Sequence, residues 1–496
     1  MAGREISNAI LSFLRLGRTC VIITTVPNSG VGQWPKEYVA LSYVWGDREQ
    51  VYAPTGEEYA ALAEKGALSN LRLSTTIHDA ILSVQRLGLR YLWADALCIR
   101  QHDASDKDEQ IAQMGFVYQS AMFTIIAASG HDCDAGLPGV RPRTRFKEQK
   151  FVQAGDITLV SSIQYPGDKI VTAETSKWTR RAWTFQEELL SPRQLIFTDE
   201  QIWWRCSCAT WCEASQLETT DTVGFFLTGQ AVAPRLDQRY AKLTPDRYFD
   251  LVTNYARRQL SYPSDALNAF AGILSMLTEY SHERFLWGLM TSTFERQLYW
   301  VGKAKPRASP EHGYFPTWSW VGWEGEVSFR HYRTYNPSIT CYVLQRDNNE
   351  LKWVPISNST TTSTSTTIPP NKLLPRFHIL LHTTLATFYL TPQGRLTLPH
   401  LPARPSYSKT GLHLGSKPDY GYLVPSLDGP ELCEKGWREC ILLGKKPKES
   451  QWDVDHMVVM LVERRDDGIA YRLGMADLCR EVWELAERRE ERIVLG

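Results

Sequence analysis

Tyr38-Val-Ala-Leu-Ser-Tyr-Val-Trp-Gly46 is the stretch on which the fold turns. Its β-formers alternate and Gly46-Asp47 punctuates the end, so Tyr38 to Val44 reads as a strand running into a loop. Downstream, Ser74 offers an N-cap to a helix over Thr75 to Leu87. There Ile77, Ile81, Val84 and Leu87 recur on one face, and Gly88 can close the C-terminus. Leu89 to Ala94 follows as a short buried strand. Ser105-Asp-Lys-Asp108 opens a second helix with the stripe Ile111, Met114, Tyr118 and Ala121, and Phe123 to Ala128 reads as another buried strand. Near-continuous apolar strands separated by amphipathic helices call for an α/β fold: a parallel sheet with right-handed crossovers and helices on both faces.

Further out, Arg141 to Lys150 is basic and interrupted by Pro142, a loop composition. Ile157 to Ile163 and Gln194 to Trp204 read as strands, and the first domain closes near residue 215. Helical spacing dominates from Pro245 to Met276. Trp318, Trp320 and Trp323 form an aromatic cluster suited to packing a second unit. Ser357 to Thr367 is almost wholly Ser and Thr, too poor in apolar groups to offset chain entropy by burial, and reads as a linker. Phe377 to Leu390 and Met457 to Val462 read as strands, and Asp477 to Ile493 as a charged terminal helix. The expected organisation is an N-terminal segment (1–37), the α/β domain (38–215), a mainly helical region with a Trp-rich end (216–356), the linker (357–371) and a β-rich module ending in a helix (372–496).

With 43% hydrophobic residues in 496, there is material for more than one core. Lys plus Arg (55) equals Asp plus Glu (55), so no net field draws the protein to nucleic acid or to an anionic membrane surface. Ala121 to Ala128 is far too short to span a bilayer. Ten cysteines scattered through so long a chain suit reduced thiols, and the expectation is a cytoplasmic protein.

In an open parallel sheet, ligands bind beyond the carboxyl ends of the strands. The segments there supply Trp45 and Asp47, then Asp95, Cys98 and Gln101, then His131 and Asp132. Asp95 ends an apolar strand, where a carboxylate is costly to desolvate; it either ties the following loop or faces a ligand. Trp45 either covers the core or stacks on a planar ligand. Cys98 with His102 or His131 would make a thiolate and base, but Leu97 and Ile99 point to burial of the thiol. Cys206, Cys208 and Cys212 lack paired C-x-x-C halves and a nearby His, so no metal site is assigned. Glu109 turns away from the apolar stripe of its helix, a solvated position. Arg181, Trp183, Gln186 and Glu187 fall at near-helical spacing and either pin their segment to the sheet or reach the crevice.

Taken together, Tyr38 to Gly46, Tyr91-Leu-Trp-Ala-Asp-Ala-Leu-Cys-Ile-Arg-Gln101 and Trp178-Thr-Arg-Arg-Ala-Trp-Thr-Phe-Gln-Glu-Glu-Leu-Leu-Ser191 resemble the three blocks that define the fungal heterokaryon incompatibility (HET) domain. Asp265-Ala-Leu-Asn-Ala-Phe-Ala-Gly-Ile273, Phe285-Leu-Trp-Gly-Leu289, Pro316-Thr-Trp-Ser-Trp320 and Tyr471-Arg-Leu-Gly474 resemble features found downstream of that domain. Ala94 stands where a β-branched residue is common, and Arg100 where Asn is common. The resemblance implies a factor of non-self recognition that triggers regulated cell death, working through a protein partner or self-assembly. It also implies a TIR-like or flavodoxin-like sheet. Several TIR domains cleave NAD with a catalytic glutamate, so NAD is implied as a substrate, and neither Glu109 nor Glu187 is singled out for that role.

Three functions compete: a death-inducing effector acting by assembly, an NAD-consuming enzyme, and an accessory protein of a fungal biosynthetic pathway. A change in turnover on replacing Asp95 separates the second from the first, and genomic neighbours identify the third. No G-x-x-x-x-G-K-[ST] loop is present, so an appended NTPase switch is not expected.

Overall fold

Tyr38–Ser42 is a strand buried at all five positions, and so is Phe123–Ala127; a strand is buried along its whole length when both faces of its sheet are covered. In the computed structural model the described residues are 21–22, 37–46, 68, 72–145, 151–160, 176–206, 210–213, 242–307, 315–329, 335–347, 350–356, 378–391, 396–398, 406–408, 411–413, 421–424, 436–447 and 455–496. Asp47, Cys208 and the expected linker over 357–371 lie outside them. The chain divides into two compact units, one of residues 1–242 and 268–276, the other of residues 243–267 and 277–496.

The first unit is mixed α/β. In chain order it holds β1 (Val21–Ile22), β2 (Tyr38–Ser42), α1 (Thr75–Arg86), β3 (Tyr91–Trp93), α2 (Asp95–Cys98), α3 (Ala104–Ser120) and β4 (Phe123–Ala127). A hairpin of β5 (Phe151–Ala154) and β6 (Ile157–Val160) follows, then α4 (Lys177–Arg180), α5 (Trp183–Leu190), β7 (Arg193–Phe197), β8 (Ile202–Cys206) and β9 (Thr210–Cys212). The main sheet runs β1-β3-β2-β4-β7-β8-β9. It is parallel from β1 to β7, and its last two strands are antiparallel additions. Because β2 lies between β3 and β4, the chain leaves β2 in one direction and returns past it to reach β4. That reversal opens a crevice beyond the carboxyl end of β2.

Local signals explain most boundaries. Helix α1 ends in the expected way: Gly88 takes φ +72°, its N–H bonds to Gln85 O, and the Leu89 N–H reaches Val84 O, the paired bonds of a glycine-closed C-terminus. At the other end Ser74 makes no side-chain cap. The carboxylate of Asp134, from the loop after β4, accepts from Thr75 N instead (3.2 Å). Helix α3 begins earlier than its Ser105 signal, because Asp103 accepts from both Ser105 N and Asp106 N. Its inner face is Gln110, Met114, Val117 and Tyr118, with Ile111 only half-buried and Glu109 exposed. Two tyrosines fasten α3 to β2: Tyr38 Oη donates to Val117 O (2.6 Å) and Tyr118 Oη to Leu41 O (3.1 Å).

In the second unit the helix Pro245–Ala256 is capped by Thr244. Trp318 and Trp320 are completely buried, and indole N–H groups find backbone carbonyls: Trp300 to Trp318 O (3.0 Å), Trp320 to Gly288 O (2.7 Å) and Trp323 to Thr317 O (2.8 Å). Arg472 is buried with its guanidinium 3.6 Å from the centre of the Trp300 ring. It donates to Leu298 O (3.1 Å) and Trp300 O (2.6 Å). Strands Ile379–Leu390, Gly436–Lys446, His456–Arg464, Ala470–Cys479 and Arg488–Leu495 pair in a closed circuit around a core that includes Phe388, Leu461 and Trp483.

The charged terminal helix expected over Asp477 to Ile493 does not form. That stretch holds the end of one strand, a six-residue helix Arg480–Leu485 and most of the strand Arg488–Leu495. The alternating charges of the last strand are answered across the sheet: Arg464 bridges Glu439 (2.7 Å) and Glu491 (2.6 Å), and Arg489 bridges Glu439 (2.8 Å). Cross-strand pairing outweighs the helical preference of the same residues.

Candidate functional site

The loops that follow β2, β3 and β4 are hydrogen-bonded to one another. Trp45 Nε1, after β2, donates to Asp95 Oδ2 (3.0 Å), and the Trp45 carbonyl accepts from Cys133 N after β4 (3.3 Å). Gly46 turns at φ +93°, and a Cβ there would stand 2.6 Å from Cβ of Asp132, so only glycine allows these two loops to meet this closely. Asp95 opens the single turn α2, and its Oδ1 accepts from Ala96 N (2.8 Å). The Gln101 side chain donates to the Asp95 carbonyl (3.3 Å), closing the turn from behind.

Below this half-buried rim lies a second carboxylate. Glu187 is 6% exposed and accepts a hydrogen bond at Oε2 from Ser42 Oγ at the end of β2. Ser42 in turn accepts from Trp178 Nε1 (2.7 Å). The α5 backbone is tied to the sheet one turn on, where Ser191 Oγ donates to Glu187 O (2.6 Å) and lies 2.6 Å from Thr124 Oγ1. Arg181 Nη1 donates to Tyr43 O (2.8 Å), which brings its guanidinium to bear on both acids.

The electrostatics follow from burial. Desolvation pushes the Glu187 carboxyl up to about 7, although the Ser42 hydroxyl and the Arg181 charge pull it down; Asp95 adds a further upward push. Asp95 is also raised, again chiefly by desolvation, with Arg181, the Ala96 amide and the Trp45 indole opposing. Tyr118, which contacts Glu187, is held well above its ordinary range by burial and by both carboxylates. The result is two acids both raised by desolvation, Glu187 to about 7, with one guanidinium opposing both shifts. A carboxyl poised near neutral pH is what acid–base chemistry there requires.

The remaining candidates separate cleanly. Cys98 is buried, its sulfur accepts from Ala94 N (3.3 Å), and burial pushes the thiol up, which opposes a thiolate. His102 and His131 are exposed. Trp183 is half-buried at the start of α5. Gln186 is 1% exposed and turns away from the crevice, accepting from Gly272 N through Oε1 (3.2 Å). Among the described residues no group of three His, Cys, Asp or Glu side chains is placed to hold a metal ion. Sequence reasoning did not pick out Ser42 or Asp79. Ser42 reads as an ordinary strand residue, and only the fold brings α5 over it. Asp79 interrupts the apolar face of α1; it is completely buried, pairs with Arg141 (2.8 Å) and accepts from Leu137 N (2.9 Å), fixing the loop after β4.

The family model described as heterokaryon incompatibility protein (HET) matches residues 38–187, from the first residue of β2 to the buried glutamate. This chain carries a HET domain. It is also similar to heterokaryon incompatibility protein 6, OR allele, of Neurospora crassa, at 30% identity over 98 residues; the match covers 18% of this chain and 14% of that protein. The likeness therefore reaches only a small part of the relative's length. No solved structure matches this chain. No helix among the described residues is long and apolar enough to cross a membrane. The rim residues Trp45, Asp95 and Gln101 and the buried pair Ser42 and Glu187 all lie inside the matched HET segment.

Proposed function

We propose that this protein acts in fungal heterokaryon incompatibility, as a cytoplasmic factor of non-self recognition whose HET domain triggers regulated cell death. The HET domain match over residues 38–187 carries this reading, and the likeness to a named incompatibility protein supports it. Expression of the full chain in fungal cells, beside a Glu187→Gln variant, tests it: death on fusion with an incompatible strain is expected for the natural chain and lost in the variant. Survival with both chains, at equal protein levels, rejects it.

One observation favours a chemical route to that outcome. The Glu187 carboxyl is raised to about 7 and feels the charge of Asp95, at the crevice of a sheet ordered β3-β2-β4-β7. Such a pair supports hydrolysis of an N-glycosidic bond, with one carboxylate stabilising the positive charge that develops on the ribose as the neutral base leaves, and the other taking a proton from the water that adds to the ribose carbon. The strand order is compatible with a TIR-like or flavodoxin-like sheet, and NAD is the substrate this reading names, with Trp45 stacking on its planar base. NAD concentration followed over time with purified full-length protein, Asp95→Ala and Glu187→Gln decides: loss with the natural chain alone supports the enzyme, and no loss with any of the three at assembly-promoting concentrations leaves partner binding as the mode of action.

A further inference from the structure

The HET match stops at Glu187, yet the compact unit does not. Residues 268–276, the first part of the helix Asn268–Ser281, belong to the same unit although a long stretch of chain separates them from β9. They pack on the two helices behind the candidate site. Phe270 stacks on Phe185 of α5 with ring centroids 6.2 Å apart and planes 4° from parallel. Gly272 N donates to Gln186 Oε1 (3.2 Å). At the crossing with α3 a Cβ on Gly115 would come 2.7 Å from Gly272 Cα, and one on Gly272 would come 2.8 Å from Gly115 Cα. Two backbones meet there with no room for a methyl group.

Every one of these contacts falls on α5 next to Glu187, or on α3 directly against it. Phe185 and Gln186 are the two residues that precede Glu187, and Leu190, one turn on, touches both glycine positions. The crevice side of α5 is held at Glu187 by the Ser42 and Tyr118 hydroxyls, while the rear is held by this distant segment. We propose that residues 268–276 are a clasp that positions α5 and with it the Glu187 carboxyl, so that the HET site is complete only when a segment outside the matched domain is docked, with Gln186 and Gly272 as positioning residues. The clasp rests on the reading of Glu187 as the working acid only for its effect on activity; its structural claim stands by itself and is tested separately.

The test is amide hydrogen exchange on the full-length protein, read over residues 183–190, for the natural chain, Gly272→Ala and Phe270→Leu. Gly272→Ala inserts a methyl group against backbone, and Phe270→Leu removes the ring stack without adding bulk at the crossing. Expected is faster exchange confined to 183–190 and the facing part of α3, about tenfold or more for Gly272→Ala and less for Phe270→Leu, with β2 and β4 still protected. If Gly272→Ala fails to fold, Phe270→Leu alone decides. Unchanged exchange over 183–190, or an equal rise throughout the unit, overturns the clasp. Glu187→Gln serves as the control that separates the two readings: lost function with unchanged exchange speaks for the acid, whereas local loosening in the clasp variants speaks for the positioning segment whatever the reaction is.

Discussion

Ser42 donates its hydroxyl to the carboxylate of Glu187 across 145 residues of sequence, tying the end of β2 to the middle of α5. The hydroxyl is itself held by the Trp178 indole, so it presents its proton to Glu187 in a fixed direction. Ser42→Ala removes this donor from a buried acid. The expected cost is about 1–3 kcal/mol, the range for a buried polar group left without its partner, read as a lowered urea midpoint. The Glu187 carboxyl should also rise further above about 7, since the Ser42 bond is the first of the influences that lower it.

Stability should depend on pH through Glu187. Its folded-state value of about 7 lies above the ordinary 4.5, so as pH rises the unfolded chain releases this proton first. Between those two values the folded state binds more protons, and stability falls across the window before levelling off above it. The shift corresponds to about 3 kcal/mol. Urea midpoints at pH 5 and pH 8 should differ accordingly in the natural chain. They should draw closer in Glu187→Gln, with the slope from the likewise raised Asp95 remaining. An undiminished slope in that variant assigns the proton to another group.

Asp79 is expected to matter to the fold more than any rim residue. It is completely buried against Arg141 and the Leu137 amide. Asp79→Ala should destabilise the first unit by about 3 kcal/mol or more and open the loop over 133–141 to protease. Limited proteolysis read by mass spectrometry checks this, and intact loop peptides at the natural rate count against it.

At the rim, Trp45→Phe keeps the ring and removes the N–H that reaches Asp95. Stability should fall by about 1 kcal/mol. Any NAD turnover should decline less than in Asp95→Ala, because the stacking face is retained. A loss equal to that of Asp95→Ala would mean that the indole N–H, and not the ring face, is what the site uses.

In the second unit Arg472 fills a buried position with two carbonyls and the Trp300 ring as its partners. Arg472→Met keeps much of the volume but strands both carbonyl oxygens. A loss of about 2–4 kcal/mol is expected, seen as a lower thermal midpoint for that unit. A neutral result would place the value of this arginine in the guanidinium's desolvation and not in its bonds.

The parallel core was legible because β2, β3 and β4 are short apolar runs set between helices with clear periodicity, and such signals are local. Asp95 and Trp45 were legible as rim residues for the same reason: a residue just past a strand must emerge at its carboxyl end. What could not be read was who meets whom over distance. Nothing near Ser42 announces that α5 will cover it, and the spacing of Arg181, Gln186 and Glu187 leaves open which side chain faces the sheet. The fold answers by sending Glu187 inward and Gln186 to the rear. The strand Arg488–Leu495 misled for the opposite reason: its charges suit an exposed helix until Glu439 and Arg464 on neighbouring strands are known.

The glycine crossing of Gly115 and Gly272 bears on how this protein can be produced in parts. A polypeptide ending at residue 242, with every strand of the first unit's sheet kept, would leave the rear of α3 and α5 bare, with the Phe185 ring and the groove at Gly115 facing water. Such a fragment should be poorly soluble for want of nine residues, 268–276, that a domain diagram drawn from sequence similarity would discard.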